Sequence, residues 1–325
     1  MTKIFKPADA ADTASYKVGN IALPINDIET PYIPASCDII NNVDELQTIA
    51  LGVKKNMPVL LIGDTGTGKT SFIRYLAHKT NNSFRRLNLN GGTTNDEIKG
   101  HYVLDENNKM RWIDGILTEA MKNGYWLLLD ELNACLPEIT FTLHSLMDDD
   151  RYLVLDEHEG EIVRPHKNFR IFATMNPSLE YAGTKDLNKA LLSRFAIVVQ
   201  TKYQAPETEM NIIKSHVPSA KETDLALMVR VAEGIRQGKD AGTVSFICST
   251  RELINWAMLA EDMPLKDAAV IAILNKCETK NDKTTVEDIL KLHFGKWEKK
   301  RLPTFKELEA QLSELEGKLK IKPTK

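Results

Sequence analysis

The 325-residue chain has no apolar run approaching the roughly 18 residues that a membrane-crossing helix needs, and its first residues lack the apolar core of a secretory signal. Both absences argue against a helical membrane protein or a secreted one, and we expect an intracellular, cytoplasmic location. Cysteine is sparse: Cys37, Cys135, Cys248 and Cys277 lie far apart, with no C-x-x-C pair and no histidine at metal-ligand spacing. That spacing excludes the usual zinc frameworks, and the seven histidines are equally dispersed, so reduced thiols are expected. Charge of either sign is not in excess. A net charge of −3 gives no global electrostatic reason to expect nucleic acid, although a local basic surface stays open. With 42% apolar and 27% charged residues, the chain has the composition of an ordinary globular protein, long enough for two packed domains.

Against this plain background one stretch stands out. Gly63-Asp64-Thr65-Gly66-Thr67-Gly68-Lys69-Thr70 fits G-x-x-x-x-G-K-[ST], directly after the apolar run Pro58-Val59-Leu60-Leu61-Ile62 and before the helical pattern that opens at Ser71. A buried strand, a glycine-rich turn and a helix are the setting of a phosphate-cradling loop. Glycines let successive N–H groups point inward, and the helix that follows turns its positive end toward the anion. Lys69 is then expected to reach the β- and γ-phosphates of a nucleotide, and Thr70 to ligate Mg²⁺.

The rest of the chain alternates strands and helices. Residues 1–36 carry Pro7, Pro24, Pro31 and Pro34 with little periodicity and read as an extended arm. Helical spacing runs from Asp38 to Val53. Apolar strands are expected at 84–89, 125–129, 170–174 and 196–200, with two hairpins, one at about 95–115 and one at about 151–168. This pattern predicts an α/β fold: a P-loop parallel sheet with helices on both faces, over residues 37–202. Residues 203–300 are poor in glycine and strongly helical and suggest a smaller α-helical lid domain. Residues 301–325 carry an apolar stripe, Phe305, Leu308, Leu312, Leu315 and Leu319, read as a helix packed on its own domain.

Asp130 and Glu131 follow the strand at 125–129. At the carboxyl end of a buried strand, downstream of a phosphate loop, an Asp can hold the Mg²⁺ shell and the adjacent Glu can polarise an attacking water. Asn176, just beyond the strand 170–174, is placed to orient that water; a strand-end Asn bonded to its own turn is the plainer alternative.

The ordered set Gly63 to Thr70, Leu127-Leu128-Leu129-Asp130-Glu131-Leu132-Asn133, Phe172-Ala173-Thr174-Met175-Asn176-Pro177, Leu191-Leu192-Ser193-Arg194-Phe195 and Ser249-Thr250-Arg251-Glu252-Leu253 resembles an AAA+ ATPase. Within that superfamily it is most similar to the MoxR, CbbQ/NorQ and CobS group, related to dynein and midasin modules. The resemblance covers about residues 36–260. It implies that Lys69 and Thr70 are the Walker A pair, with Gly63 to Ser71 cradling ATP; that Asp130 and Glu131 are Walker B; and that Asn176 is sensor 1. It implies too that Arg194 is an arginine finger acting on a neighbouring subunit's nucleotide and Arg251 is sensor 2. Asn88, with Asn90 as a rival, falls where some relatives place a residue that restrains the Walker B glutamate. The two hairpins match insertions that in relatives face a ring's pore or a partner, so Tyr102 and Trp112 either touch a substrate chain or form the hairpin core.

A finger acting in trans implies a homo-oligomeric ring, usually a hexamer. The resemblance further implies a client-remodelling or metal-inserting ATPase working with a separate von Willebrand A-domain protein. The alternatives are a nucleic-acid motor, which the acidic tip Asp156, Glu157 and Glu159 disfavours, and an inactive scaffold, which Glu131 and Arg194 disfavour. The adenine is expected between Tyr32–Asp38 and the lid, with GTP as the competing nucleotide.

Overall fold

Residues 14–27, 29–35, 43–148, 150–177 and 187–294 are described by the computed structural model. Strands β1 (Ser15–Val18) and β2 (Ile21–Pro24) pair antiparallel within the stretch expected to be an extended arm. Val18, Ile21 and Leu23 are buried beside helix α1 (Val43–Lys55). Two four-residue strands around a tight turn are too short to leave a periodic trace, which is why the sequence reading missed them. The helix expected from Asp38 is described only from Val43.

The chain then runs β3 (Val59–Ile62), α2 (Lys69–Lys79), β4 (Phe84–Asn88), α3 (Asn95–Ile98), β5 (Gly100–Leu104), β6 (Met110–Asp114) and α4 (Ile116–Asn123). It continues through β7 (Trp126–Asp130), α5 (Pro137–Met147), β8 (Leu153–Leu155), β9 (Glu161–Val163), β10 (Arg170–Met175), α6 (Lys189–Leu192) and β11 (Ile197–Gln200). Five of these strands form one parallel sheet in the order β11-β3-β10-β7-β4. Because every strand in it points the same way, the loops after β3, β7 and β10 meet at one edge, the usual ligand side of such a sheet.

Strand alternation decides which residues face which layer. Leu127, Leu129, Ile171 and Ala173 enter a core closed by α4 and α5, whereas Trp126, Leu128 and Phe172 enter a second core closed by α1 and α2. Asp130 is in phase with Leu128, and Thr174 and Asn176 with Phe172, so the polar ends of β7 and β10 emerge on the side where α2 begins.

Helices α7 (Pro206–His216), α8 (Glu222–Asp240), α9 (Thr250–Leu259), α10 (Leu265–Ala272) and α11 (Lys280–Phe294) pack around Trp256, Met228, Ile235, Leu253 and Leu290. Ser249 and Glu252 form a reciprocal capping box that starts α9. Inside this bundle Arg236 grips the fully buried Glu209 with two hydrogen bonds of 2.9 and 2.7 Å. Among the described residues, no helix is long and apolar enough to cross a membrane. Cys135, Cys248 and Cys277 are buried and not disulfide-bonded to one another; Cys37 and the stripe from Phe305 to Leu319 lie outside the described residues.

The hairpins β5–β6 and β8–β9 dock on each other. The Trp112 ring stacks on His158 with centroids 4.7 Å apart and planes 11° apart, the Tyr102 hydroxyl lies 2.8 Å from His158 Nδ1, and Lys99 pairs with Asp156 at 2.9 Å. Of the two expectations for Tyr102 and Trp112, packing within the hairpin layer fits these contacts, with Tyr102 still 37% exposed. Asp156, at the acidic tip, is largely spoken for by Lys99.

Candidate active site

Local backbone geometry sets up the phosphate loop. Gly68 stands before α2 with φ 86°, and a side chain there would meet open space; Gly66 has φ 78°. Such left-handed values favour glycine, and they leave the N–H groups of the loop and of the first turn of α2 directed at the cleft. Gly66 is needed for a second reason: a Cβ there would sit 2.4 Å from Cβ of Ser249, the cap of α9. The helical bundle therefore rests directly on the loop. Two more contacts tie them, an ion pair of 3.0 Å between Asp64 and Lys239 and a 2.9 Å hydrogen bond donated by the Tyr203 hydroxyl to the Thr65 carbonyl. Gly63 is hemmed in by Thr201, and Thr67 shares a hydrogen bond of 2.9 Å with the Thr201 hydroxyl.

A cleft of about 520 Å³ opens above this loop. Thr65 to Ser71, Asp130, Glu131, Asn176 and Arg251 line it, so residues far apart in the chain are brought to one cavity. Lys69 Nζ donates to the carbonyls of Gly63 (2.6 Å) and Asp64 (2.9 Å) and to Asn176 Oδ1 (2.9 Å). Burial pulls its pKa down to about 8, against the opposing pull of Asp130, Asp64 and Glu131. The ammonium is thus held among acceptors but incompletely solvated, which favours exchange of those acceptors for a phosphate.

Asp130 is buried at the end of β7. Its Oδ2 accepts from the Thr70 hydroxyl at 3.3 Å and contacts the Arg86 guanidinium at 2.5 Å, while its Oδ1 accepts from the Thr174 hydroxyl. Thr174 in turn accepts a hydrogen bond of 3.2 Å from the Glu131 N–H. Glu131 has φ 60° and ψ 45°, a left-handed conformation for a residue with a full side chain. Such strain persists where the surroundings over-determine it, and it is characteristic of functional turns. Asn133 Nδ2 donates to the Asn176 carbonyl at 3.0 Å and so braces the β7 and β10 loops together; its Oδ1 is buried and has no hydrogen-bond partner among the described residues.

The Thr70 hydroxyl and Asp130 carboxylate fit Mg²⁺, a hard cation that is usually held by one or two protein oxygens together with substrate phosphates. No cluster of three or more His, Cys, Asp or Glu able to form a protein-only metal cage is present among the described residues.

Three further placements differ in character. Arg194 does not line this cleft: Nε donates to Asp148 Oδ1 at 2.6 Å and one guanidinium N–H to the Ala190 carbonyl at 2.9 Å, on the rim beyond α5. Asn88 lines the cleft beside Asp130 in the β4–β7 register, whereas Asn90 Oδ1 accepts from Gly92 N at 2.7 Å and is occupied by its own turn. Tyr32, expected near the base, instead packs edge-on against Tyr125 and under Arg85. Tyr125 immediately precedes β7, so Tyr32 lies at the amino ends of the strands, the wrong end of the sheet for the cleft. Residues 36–42 lie outside the described residues.

Sequence reading missed the far wall of the cleft. Gln204, Ile212, His216 and Ile254 line it, from the start and face of α7 and from α9, and Gln204 Oε1 is buried without a hydrogen-bond partner among the described residues. It also missed Arg86 and Thr174. A charged residue inside a short strand and a threonine in an otherwise apolar one were the available signals, and neither is distinctive without the register.

Comparison with known proteins supplies the last observations. Residues 58–195 match the model of the AAA domain of the dynein-related subfamily, and residues 209–293 match the CbbQ/NirQ/NorQ C-terminal model. A CbbQ protein of Hydrogenophilus thermoluteolus is 33% identical over 211 residues, 65% of this chain and 77% of the relative. The aerobic cobaltochelatase subunit CobS of a Sinorhizobium species is 29% identical over 76% of this chain and 79% of the relative. A midasin of Dictyostelium discoideum is 35% identical over 70% of this chain, which spans only 4% of that much larger protein.

Proposed function

The chain belongs to the dynein-related AAA ATPases of the CbbQ/CobS type, and from that premise we propose that it is a ring-forming motor in which each ATP is held by one subunit and attacked with the help of the next. The observation that carries this reading is the division of residues about the cleft. Lys69, Thr70, Asp130, Glu131, Asn176 and Arg251 converge on one cavity, while Arg194 is not part of its lining and pairs with Asp148 instead. A single subunit thus holds every element of the expected hydrolytic site except the finger.

In this reading the loop N–H groups and Lys69 bind the phosphates, and Thr70 and Asp130 hold the metal. A magnesium ion held there with the nucleotide would offset the negative charge of the phosphates. Glu131 accepts a proton from the attacking water, Asn176 orients that water, and Arg251 contacts the phosphate from the helical side. Ile212 and Ile254 offer apolar walls to the base. The amide of Gln204 suits adenine, whose N6 amino group donates while N7 accepts; guanine presents two acceptors on the same edge and leaves the Gln204 oxygen unpaired. Rotation of the helical bundle against the sheet, through the contacts at Gly66, Asp64 and Thr65, would carry the docked hairpins with the cycle and remodel a client protein. By analogy with the CobS relative, metal insertion into a client is one form such remodelling could take, and a separate von Willebrand A-domain protein would present the client.

Mixing variants tests the reading. Arg194→Ala alone and Lys69→Ala alone should each lose hydrolysis, Arg194→Ala with nucleotide binding retained. Mixed rings should recover part of the activity, since some interfaces pair an intact loop with an intact finger. Full turnover by a verified monomer would overturn it.

A further inference from the structure

We propose that Arg86 is a positioning residue that serves as an internal counter-cation for Asp130 and competes with the divalent metal for the same carboxylate oxygen. The proposal rests on the ATPase reading for the identity of the metal site and goes beyond it by assigning a residue that family motifs do not include.

The geometry is specific. Arg86 lies on β4, two residues before Asn88 and on the same face of the strand, and Asn88 is registered against Asp130. Its guanidinium therefore reaches along the strand to Asp130 Oδ2, at 2.5 Å, while its neighbour Arg85 projects to the other face and pairs with Glu119 at 2.8 Å. Asp130 is the single ionic partner of Arg86 among the described residues. Oδ2 is also the oxygen that accepts from Thr70, the other expected metal ligand. The second oxygen, Oδ1, is already committed to the Thr174 hydroxyl. A metal held by both Thr70 and Asp130 meets Oδ2, the oxygen nearest the Thr70 hydroxyl and the atom Arg86 covers.

Two properties make Arg86 displaceable rather than fixed. Its side chain is half exposed, at 50%, whereas that of Asp130 is 7% exposed, so the guanidinium can leave without opening the core. It also lines the same cleft as the phosphate loop, where a polyphosphate offers new oxygen acceptors to a planar, bidentate donor. Two cations cannot share one oxygen at close range without mutual repulsion. Metal entry and Arg86 departure are therefore one event, and the guanidinium keeps the carboxylate aimed until the metal nucleotide arrives.

The probe is Mn²⁺ alone, titrated into the nucleotide-free full chain with free Mn²⁺ counted by electron paramagnetic resonance. Arg86→Gln should bind Mn²⁺ about tenfold more tightly than the unsubstituted protein, as expected when a competing unit charge is removed. Arg86→Lys should stay near the unsubstituted affinity, and Arg86→Gln combined with Asp130→Asn should lose the gain. Thermal melting of each variant reports whether the fold is intact. A folded Arg86→Gln that binds Mn²⁺ no more tightly than the unsubstituted chain, including no measurable binding in either, overturns the proposal; a purely structural role would weaken binding. ATP hydrolysis measured in parallel separates the two readings, because its absence in the unsubstituted protein would fail the motor while leaving the metal competition to stand or fall on the Mn²⁺ titration.

Discussion

The two walls of the cleft are built on different principles. On the sheet wall the two central charged side chains are committed: Lys69 to Gly63, Asp64 and Asn176, and Asp130 to Thr70, Thr174 and Arg86. On the helical wall the lining is Arg251, Thr250, Ile212, Ile254, His216 and a Gln204 whose buried oxygen has no hydrogen-bond partner among the described residues. A saturated network fixes atoms to within the tolerance that phosphoryl transfer requires, whereas a sparsely bonded wall can yield and re-form around a base. The helical wall is stiffened from behind instead. Arg236 holds Glu209, the Thr250 hydroxyl donates to the same carboxylate at 2.6 Å, and Arg236 lies 3.8 Å over the Tyr203 ring, whose hydroxyl reaches the phosphate loop. The difference teaches that the sheet fixes the polar side chains of the cleft, and that the helices meet the loop through a small set of contacts at Gly66, Asp64 and Thr65.

The contrast can be broken at either wall. The largest effect should come from Glu131→Gln, which removes the proposed base from the sheet wall while keeping its shape. Turnover should fall about 10²–10⁴-fold with ATP binding retained, measured by phosphate release beside a nucleotide titration. Next, Arg236→Ala leaves the Glu209 carboxylate buried and unpaired and should destabilise the protein by about 3–5 kcal/mol in chemical denaturation. If the helical wall is stiffened from behind, this loss should also weaken nucleotide binding, although neither residue lines the cleft. Gly66→Ala should cost about 1–2 kcal/mol for the left-handed backbone alone, and the clash with Ser249 should push α9 off the loop. A shift in protease sensitivity of the helical region would register that movement.

Gln204→Leu is the test of selectivity. It should narrow the preference for ATP over GTP by about tenfold, the scale of one bidentate contact, with little change in kcat. A preference unchanged in the variant would leave base recognition elsewhere. The smallest effect should be on pH dependence. Burial opposes ionisation of Glu252, but the hydrogen bonds from Ser249 and the ion pair with Lys276 at 3.1 Å outweigh it and hold its carboxyl below the ordinary value. Its contribution to stability is therefore complete above the unfolded-state value of about 4.5 and is lost as pH falls through the lower folded-state value. Thermal melts between pH 3 and 6 should show this slope, and Glu252→Gln should flatten it.

Much of the sheet wall was legible before any coordinates. The loop from Gly63 to Thr70, the apolar strand ending in Asp130-Glu131 and the strand ending before Asn176 each carry a local pattern, and residues local in sequence are placed by local geometry. The pairing of Arg86 with Asp130 and of Thr174 with the same carboxylate was not legible, because it depends on which strands are neighbours and in what register. The docking of the hairpins through Trp112 and His158 was hidden for the same reason, as was the N-terminal hairpin, whose burial depends on a helix almost twenty residues later in the chain. Tyr32 was misplaced because proximity in sequence to the first helix says nothing about which end of the sheet a segment crosses.

The chain by itself therefore determined its fuel: glycine spacing, the lysine and the paired acids encode phosphate and metal chemistry in stretches short enough to be read one at a time. Only the tertiary structure decided how that chemistry is held in check and completed. Parallel register set Arg86 on Oδ2 of Asp130, and the packing of α7 and α9 over the loop made a cleft wall from residues with no motif of their own. Arg194, by contrast, is held against Asp148 outside that cleft, a pairing between the ends of α5 and α6 that no local pattern announces.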